Sequence, residues 1–265
     1  MSTNAKPAFW KETNLAAFAE ANSSFAKSVW KRYGGHPAFK GWYITHENWV
    51  GWYPGPGWGH AREYPDSWRA FYAQATQACK AQRKRDGAPN DLKVAISPCL
   101  PDHPYDAARP GAPPNTSHVT VDEAVAIYAG MLADTGVDIV MLQDSVGAKP
   151  EVWNPTDAAV YLGPMSEICE ANGMQFWSNL ECFATTTVKD PVTGLDKTEY
   201  MPCDPERFKT QLEVTANKQV VAKRVTFEYV HYLHATKKLA NGRPFPYYSS
   251  RMQDLRNVCP PPKRK

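Results

Sequence analysis

Apolar positions along the chain follow two rhythms that alternate. Leu15, Phe18, Phe25, Val29 and Tyr33 recur at roughly helical spacing and stop at the glycine pair Gly34 and Gly35, which predicts a first helix. "FKGWYITH" then reads as a strand. "DSWRAFYAQATQACKAQRK" is helical, with Asp66 as its expected N-cap. "LKVAISP" is a short strand. "TVDEAVAIYAGMLADTG" opens on a capping box, Thr120 with Glu123, and ends at Gly136. "VDIVMLQ" is a strand, "PTDAAVYLGPMSEICEANG" one helix ending at Gly173, and "MQFWSNLE" a strand. "DPERFKTQLEVTANKQ" is a helix with Asp204 as N-cap and Pro205 in its first turn, and "KRVTFEYV" is a fifth strand. Strands alternating with helices predict parallel βα units.

The connections are uneven. Helix-to-strand links are tight, as at Gly136 and Gly173. Strand-to-helix links are long and include "ENWVGWYPGPGWGHAREYP", "CLPDHPYDAARPGAPPNTSH" and "CFATTTVKDPVTGLDKTEYMPC", all read as loops. The elaboration therefore sits at the C-terminal ends of the strands, the end where α/β proteins build their sites. The fold class expected is α/β of the (β/α) TIM-barrel type. Five good strands are legible where a closed barrel has eight, so the barrel reads as incomplete at the N-terminus. The chain of 265 residues is expected to be one such domain over residues 1–265, with a flexible tail at about 255–265.

Composition narrows the picture little. Charges are mixed, with a net charge of +3, and the basic run Lys263 to Lys265 has no aromatic partners nearby, so no nucleic-acid partner is expected. Six cysteines without a CxxC pair argue against structural zinc and read as free thiols. No apolar run reaches membrane-spanning length, and "MSTNAKPAFWKETN" lacks a signal core. The chain as given is expected to be cytoplasmic and off the membrane, or secreted if its N-terminus is incomplete. No Gly-rich phosphate loop follows a strand, and no GxSxG elbow or strand lysine suggests other chemistry. His231 and His234 in "HYLH" have no acid to complete a zinc motif. No cofactor and no metal are expected.

Acids at the strand ends change the picture more. Side chains alternate along a strand, so Tyr43, Thr45 and Glu47 share one face while Trp42, Ile44 and His46 share the other. Gln175, Trp177, Asn179 and Glu181 share a face, and Asp144 lies just beyond "DIVMLQ". Glu228 is a fourth strand-end acid. Several carboxylates at one end of adjacent strands repel one another and would destabilise the fold without a compensating role. Glycoside hydrolysis needs such a pair: one protonates the leaving oxygen, the other attacks or activates water. Aromatic rings suit the apolar face of a sugar, and Trp49, Trp52, Trp58 and Trp177 are interleaved with Gln143, Asp144 and Asn179.

"GWYITHE", "VAISP", "VDIVMLQDSVGA" and "FWSNLECF", taken in order, resemble the domain-of-unknown-function family 4434, a group of TIM-barrel fold related to glycoside hydrolases. The resemblance spans roughly residues 37 to 235. It implies that Glu47, Asp144 and Glu181 line the open end of a barrel. The function expected is hydrolysis of an oligo- or polysaccharide. Glu181 would be nucleophile or base and Glu47 the acid. Asp144 and Gln143 would orient substrate with Asn179 and Glu228, and the four tryptophans would stack sugar rings. Two alternatives stay open: a divalent-metal sugar isomerase-like barrel, and a carbohydrate-binding barrel without catalysis. Neither the sugar nor the oligomeric state is legible.

Overall fold

The structure is a computed structural model and describes residues 12–48, 50, 65–83, 90–101, 119–148 and 153–227. The two rhythms become α1 (Glu12–Tyr33), β1 (Gly41–Ile44), α2 (Pro65–Lys80), β2 (Lys93–Ile96), α3 (Val121–Leu132) and β3 (Ile139–Gln143). They continue as α4 (Pro155–Ala159), α5 (Leu162–Ala171), β4 (Gln175–Glu181), β5 (Phe183–Lys189), β6 (Asp196–Pro202), α6 (Pro205–Val214) and β7 (Lys223–Phe227). Five strands form one sheet in the order β1-β2-β3-β4-β7, and β5 pairs with β6 in a separate ribbon. β1, β2 and β3 run parallel, with Gly41 opposite Lys93 and Ala95 opposite Ile139. This is the α/β, (β/α)-barrel type of fold, with five sheet strands among the described residues where a closed barrel has eight. The chain divides into two compact units, residues 1–142 with 163–177, and residues 143–162 with 178–265.

In the first unit α2 turns Trp68, Phe71, Tyr72, Ala75, Thr76 and Cys79 inward at three- and four-residue spacing. It packs against α1 and α3. Trp68 and Tyr72 are fully buried, each ring contributing about 2–3 kcal/mol through the apolar surface removed from water. Trp42 turns back from β1 onto Trp30 and Phe39, at ring separations of 6.1 and 4.9 Å, so this side of the strand is core. His46 follows the same side and lies tilted against Phe18 and Phe71, and its burial lowers its pKa. Two expectations need correction. On α1 the buried stripe is Leu15, Ala19 and Ala26, while Phe25 and Tyr33 are exposed; small residues allow close approach to α2, and the larger rings are left outside. Asp66 lies inside the first turn of α2, where it pairs with Arg69 at 2.9 Å, because the helix already begins at Pro65.

At the N-terminal end of β3, Asp138 fastens three pieces of this unit. Its oxygens accept from Lys80, Lys93 and the Val94 N–H at 3.0, 2.9 and 2.9 Å. Burial alone would raise its pKa, but the Val94 N–H and the two ammonium groups hold it below the usual carboxylate range.

The second unit is built on the ends of β3 and β4. Leu180 and Cys182 pack with Cys203, Phe208 and Leu212 in one apolar cluster. Asp204 caps α6 by accepting from the N–H groups of Glu206 and Arg207, with Pro205 in the first turn as the sequence requires. The capping box at Thr120 in the other unit forms as expected. Residues 155–173 form two helices rather than one. Pro164 is the cause: its ring clashes with the carbonyl four residues back, at Val160, where α4 ends.

The segment 182–203, expected as a loop, is a β-hairpin. β5 and β6 pair antiparallel from Phe183 opposite Pro202 to Lys189 opposite Asp196. Asp190 organises its turn by accepting from Val192 and Thr193, and Gly194 takes the left-handed conformation at φ 68°. The five described cysteines carry free thiols. Among the described residues no helix is long and apolar enough to cross a membrane.

Candidate active site

Asp144 and Glu181 stand at the C-terminal ends of β3 and β4, one residue beyond and at the last residue respectively. The backbone ties these ends together, since the Asp144 N–H donates to the Asn179 carbonyl at 3.1 Å. Asp144 Oδ1 in turn accepts from the Glu181 N–H at 3.1 Å. Both side chains are buried. Two carboxyl groups that the sequence placed at one end of neighbouring strands are therefore brought together and taken out of water.

The loop after Asp144 holds Glu181. Ser145 adopts φ 55°, a left-handed conformation that a non-glycine residue takes at a cost of about 1 kcal/mol or more. Beyond that bend, the N–H groups of Gly147 and Ala148 both donate to Glu181 Oε2, at 2.8 and 2.7 Å. Gly147 has to be a glycine. A Cβ there would lie 2.5 Å from the Phe183 carbonyl oxygen and 2.8 Å from Glu181 Cβ. The close approach that supplies the two donors leaves no room for a side chain.

Two residues of α6 complete the framework. Arg207 and Gln211 are one helical turn apart and so share a face. Arg207 Nη1 donates to the Val146 carbonyl at 2.7 Å, and Nη2 to the carbonyls of Glu181 and Phe183. Gln211 Nε2 donates to Asp144 Oδ2 at 2.5 Å and to the Glu181 carbonyl at 3.3 Å. Arg207 thus places its Nη donors on three backbone carbonyls, while its charge opposes the rise in pKa of both carboxyl groups. Among the described residues neither carboxylate has an ion-pair partner, in contrast with Asp138 and its two lysines.

That contrast fixes the electrostatics. Burial pushes the Glu181 carboxyl up to about 8, the neighbouring charge of Asp144 pushes the same way, and the Ala148 and Gly147 N–H groups offset only part. Asp144 is raised to about 6, again by burial first, with Gln211 and the Glu181 N–H opposing. Asp144 has a donor on each oxygen, whereas both donors to Glu181 meet one oxygen. Burial beside Asp144 thus favours the protonated form of Glu181.

The remaining predicted residues fall as follows. Asn179 is buried and contributes its carbonyl to Asp144. Gln143 is half-buried at the end of β3. Trp177 is half-buried and donates from Nε1 to Gln175 Oε1 at 3.1 Å, so these two share a strand face as expected. Glu47 is exposed beyond β1 in the first unit. Its charge raises the pKa of Tyr43, after burial, which acts first and in the same direction, and against the Ser97 hydrogen bond. Trp49, Trp52, Trp58, Glu228, His231 and His234 lie outside the described residues. Arg207, Gln211 and Gly147 were missed. The four-residue spacing of the first two on one helix was their available signal, and the glycine in "LQDSVGA" was that of the third. Among the described residues no group of three His, Cys, Asp or Glu side chains is placed to hold a metal ion.

Among the solved structures compared, one supports the fold. The "putative alpha-L-fucosidase" of Bacteroides thetaiotaomicron is similar over 92% of this chain and 62% of its own, at 22% identity and a TM-score of 0.57. The family 1 β-glucosidase of Thermotoga maritima matches over 82% of this chain and 60% of its own, at 11% identity and a TM-score of 0.45. A double mutant of the Cellulomonas fimi endo-β-1,4-mannanase matches over 94% and 58%, at 13% identity and a TM-score of 0.34. The chain thus spans less than two thirds of each of these proteins. No curated protein sequence is significantly similar to it. Residues 1–238 match the model of a domain of unknown function, DUF4434, and the chain belongs to that family.

Proposed function

We propose that this chain carries a glycoside hydrolase-type site acting on an oligo- or polysaccharide, with Glu181 as the proton donor. The observation that carries the proposal is the state of Glu181. It is a strand-end acid, buried beside a second carboxyl group and gripped through one oxygen by two backbone N–H groups, and that burial raises its pKa. A glycosidic oxygen leaves only when protonated, and a carboxylic acid that keeps its proton at pH 7 can supply it. The sequence reading gave Glu181 the attacking role; its retained proton suits donation better. Asp144 positions Glu181 through the backbone and keeps its pKa high by its own charge. Similarity in fold to a protein named as a "putative alpha-L-fucosidase" supports the substrate class.

Hydrolysis needs a second carboxylate to attack or to activate water. Glu47 and Glu228 are the proposed candidates, and substitution assigns the role. Trp177, Gln143 and Asn179, with Trp49, Trp52 and Trp58, are proposed to contact the sugar. The test is turnover of a panel of aryl glycosides and oligosaccharides, with an α-L-fucoside included because the Bacteroides protein bears that name. Glu181→Gln should lower kcat by about 100-fold or more while the protein stays folded. Whichever of Glu47→Gln and Glu228→Gln removes the second carboxylate should do the same. Panel turnover that survives Glu181→Gln unchanged overturns the proposal.

A further inference from the structure

The β5–β6 hairpin grows directly out of the strand that carries Glu181, and it presents aromatic rings that the proposed chemistry does not use. Leu180 and Cys182 pack on Phe208 and Leu212 of α6. By alternation, Glu181, Phe183 and Thr185 occupy the opposite face of the chain. Tyr200 stands directly across from Thr185 and shares that face. Phe183 is buried and lies between two exposed rings. Tyr200 is tilted against it at 5.6 Å, and Phe227, at the end of β7, meets it edge-on at 6.1 Å. Tyr200 is 59% exposed and Phe227 51% exposed.

Large rings left this open are ordinarily turned inward, and these two are held in place by a buried third. The hairpin is also fastened to the loop that grips Glu181. The Thr185 N–H donates to the Gly147 carbonyl at 3.0 Å, and Thr185 Oγ1 to the Ala148 carbonyl at 3.1 Å. The hairpin is therefore hydrogen-bonded to the same loop residues that grip Glu181. Phe183 lies two positions beyond Glu181, about 7 Å along the strand, and Thr185 with Tyr200 about 13 Å beyond it. Those separations exceed the width of one sugar ring.

We infer that Tyr200 and Phe227 form an aromatic ledge, braced by Phe183, on which sugar rings next to the cleaved linkage stack. The inference rests on the reading of Glu181 as the acid of a glycan-cleaving site. It specifies a chain of several sugars rather than a single terminal sugar. Pyranose C–H groups meet the ring faces, and no charge or metal is involved.

The test compares long and short probes. Cellohexaose, mannohexaose, xylohexaose and 2′-fucosyllactose are titrated against the full chain by calorimetry, and turnover is followed on the same sugars and on aryl monosaccharides. Tyr200→Ala and Phe227→Ala should each raise Kd and KM for the bound oligosaccharide about 3- to 10-fold. Tyr200→Phe should restore binding, because the ring face is kept. Both rings are exposed, so the melting temperature should move little. Oligosaccharide binding that is unchanged in both alanine variants overturns the ledge, even if hydrolysis is intact. Binding that is weakened as expected without any turnover keeps the ledge and overturns the hydrolase reading. No binding of any probe by the unsubstituted chain overturns the ledge.

Discussion

Replacing Glu181 by glutamine should stabilise the protein at alkaline pH while removing its chemistry. Glutamine is close in shape to the protonated acid: its oxygen can take the place of Oε2 and accept from Gly147 and Ala148, and it carries no charge to bury. The magnitude follows from proton linkage. The unfolded chain releases the Glu181 proton near 4.5, whereas the folded chain holds it to about 8. Between those values the folded state binds more protons, so this group's contribution is fully present below pH 4.5 and is lost as pH rises through 8. At about 1.4 kcal/mol for each pH unit, the ceiling is on the order of 5 kcal/mol. Asp144 adds a loss of the same sign at lower pH, between 3.8 and about 6, in both proteins. The assay is urea unfolding followed by tryptophan fluorescence at pH 5, 6.5 and 8. Wild type and variant should differ by less than about 1 kcal/mol at pH 5. By pH 8 to 8.5 the variant should be more stable by about 2 kcal/mol or more. Parallel pH dependences in the two proteins, or a variant less stable than wild type at pH 8, would refute the reasoning.

Other expectations follow from the same contacts. Gly147→Ala should cost about 2–3 kcal/mol and abolish turnover, because its Cβ meets the Phe183 carbonyl and the Glu181 side chain; denaturant melts and activity read both. Asp144→Asn keeps an acceptor for the Glu181 N–H but turns an NH2 group toward Gln211 Nε2. It should cost about 1–3 kcal/mol, and by removing a negative charge it should move the alkaline limb of any pH–rate profile to lower pH. Arg207→Lys cannot reproduce a fork that serves three carbonyls and should cost on the order of 3 kcal/mol in the same melts. Asp138→Asn should cost about 1–2 kcal/mol by loosening the Lys80, Lys93 and Val94 contacts, yet leave turnover unchanged.

Helix ends and sheet strands were readable because short-range rules set them. Thr120 with Glu123, Asp204 with Pro205, and the glycines at 136 and 173 behave as their positions demand. Errors arose where a longer-range preference won. Phe25 and Tyr33 fit a helical stripe, but the partner helix accepts alanines more closely. Pro164 broke a helix whose apolar spacing continues past it. The hairpin was hidden because its exposed threonines and charges lack an apolar alternation.

For the site, alternation was enough to set Asp144 and Glu181 at neighbouring strand ends. It could not show that one loop would fold its backbone donors onto Glu181, nor that a helix sixty residues later would supply Gln211. Those contacts join distant segments, and each leaves only a trace in sequence: a glycine in "LQDSVGA" and two polar residues one turn apart.

The central claim is that Glu181 carries the proton for glycan cleavage. Its most direct test is kcat/KM against pH for wild type and Glu181→Gln, measured on whichever panel sugar is turned over. The account predicts a wild-type profile that falls as pH rises through about 8, and turnover lowered about 100-fold or more at every pH by a variant that remains folded. Turnover by the variant at the wild-type rate, or a wild-type rate still rising above pH 8, would contradict it.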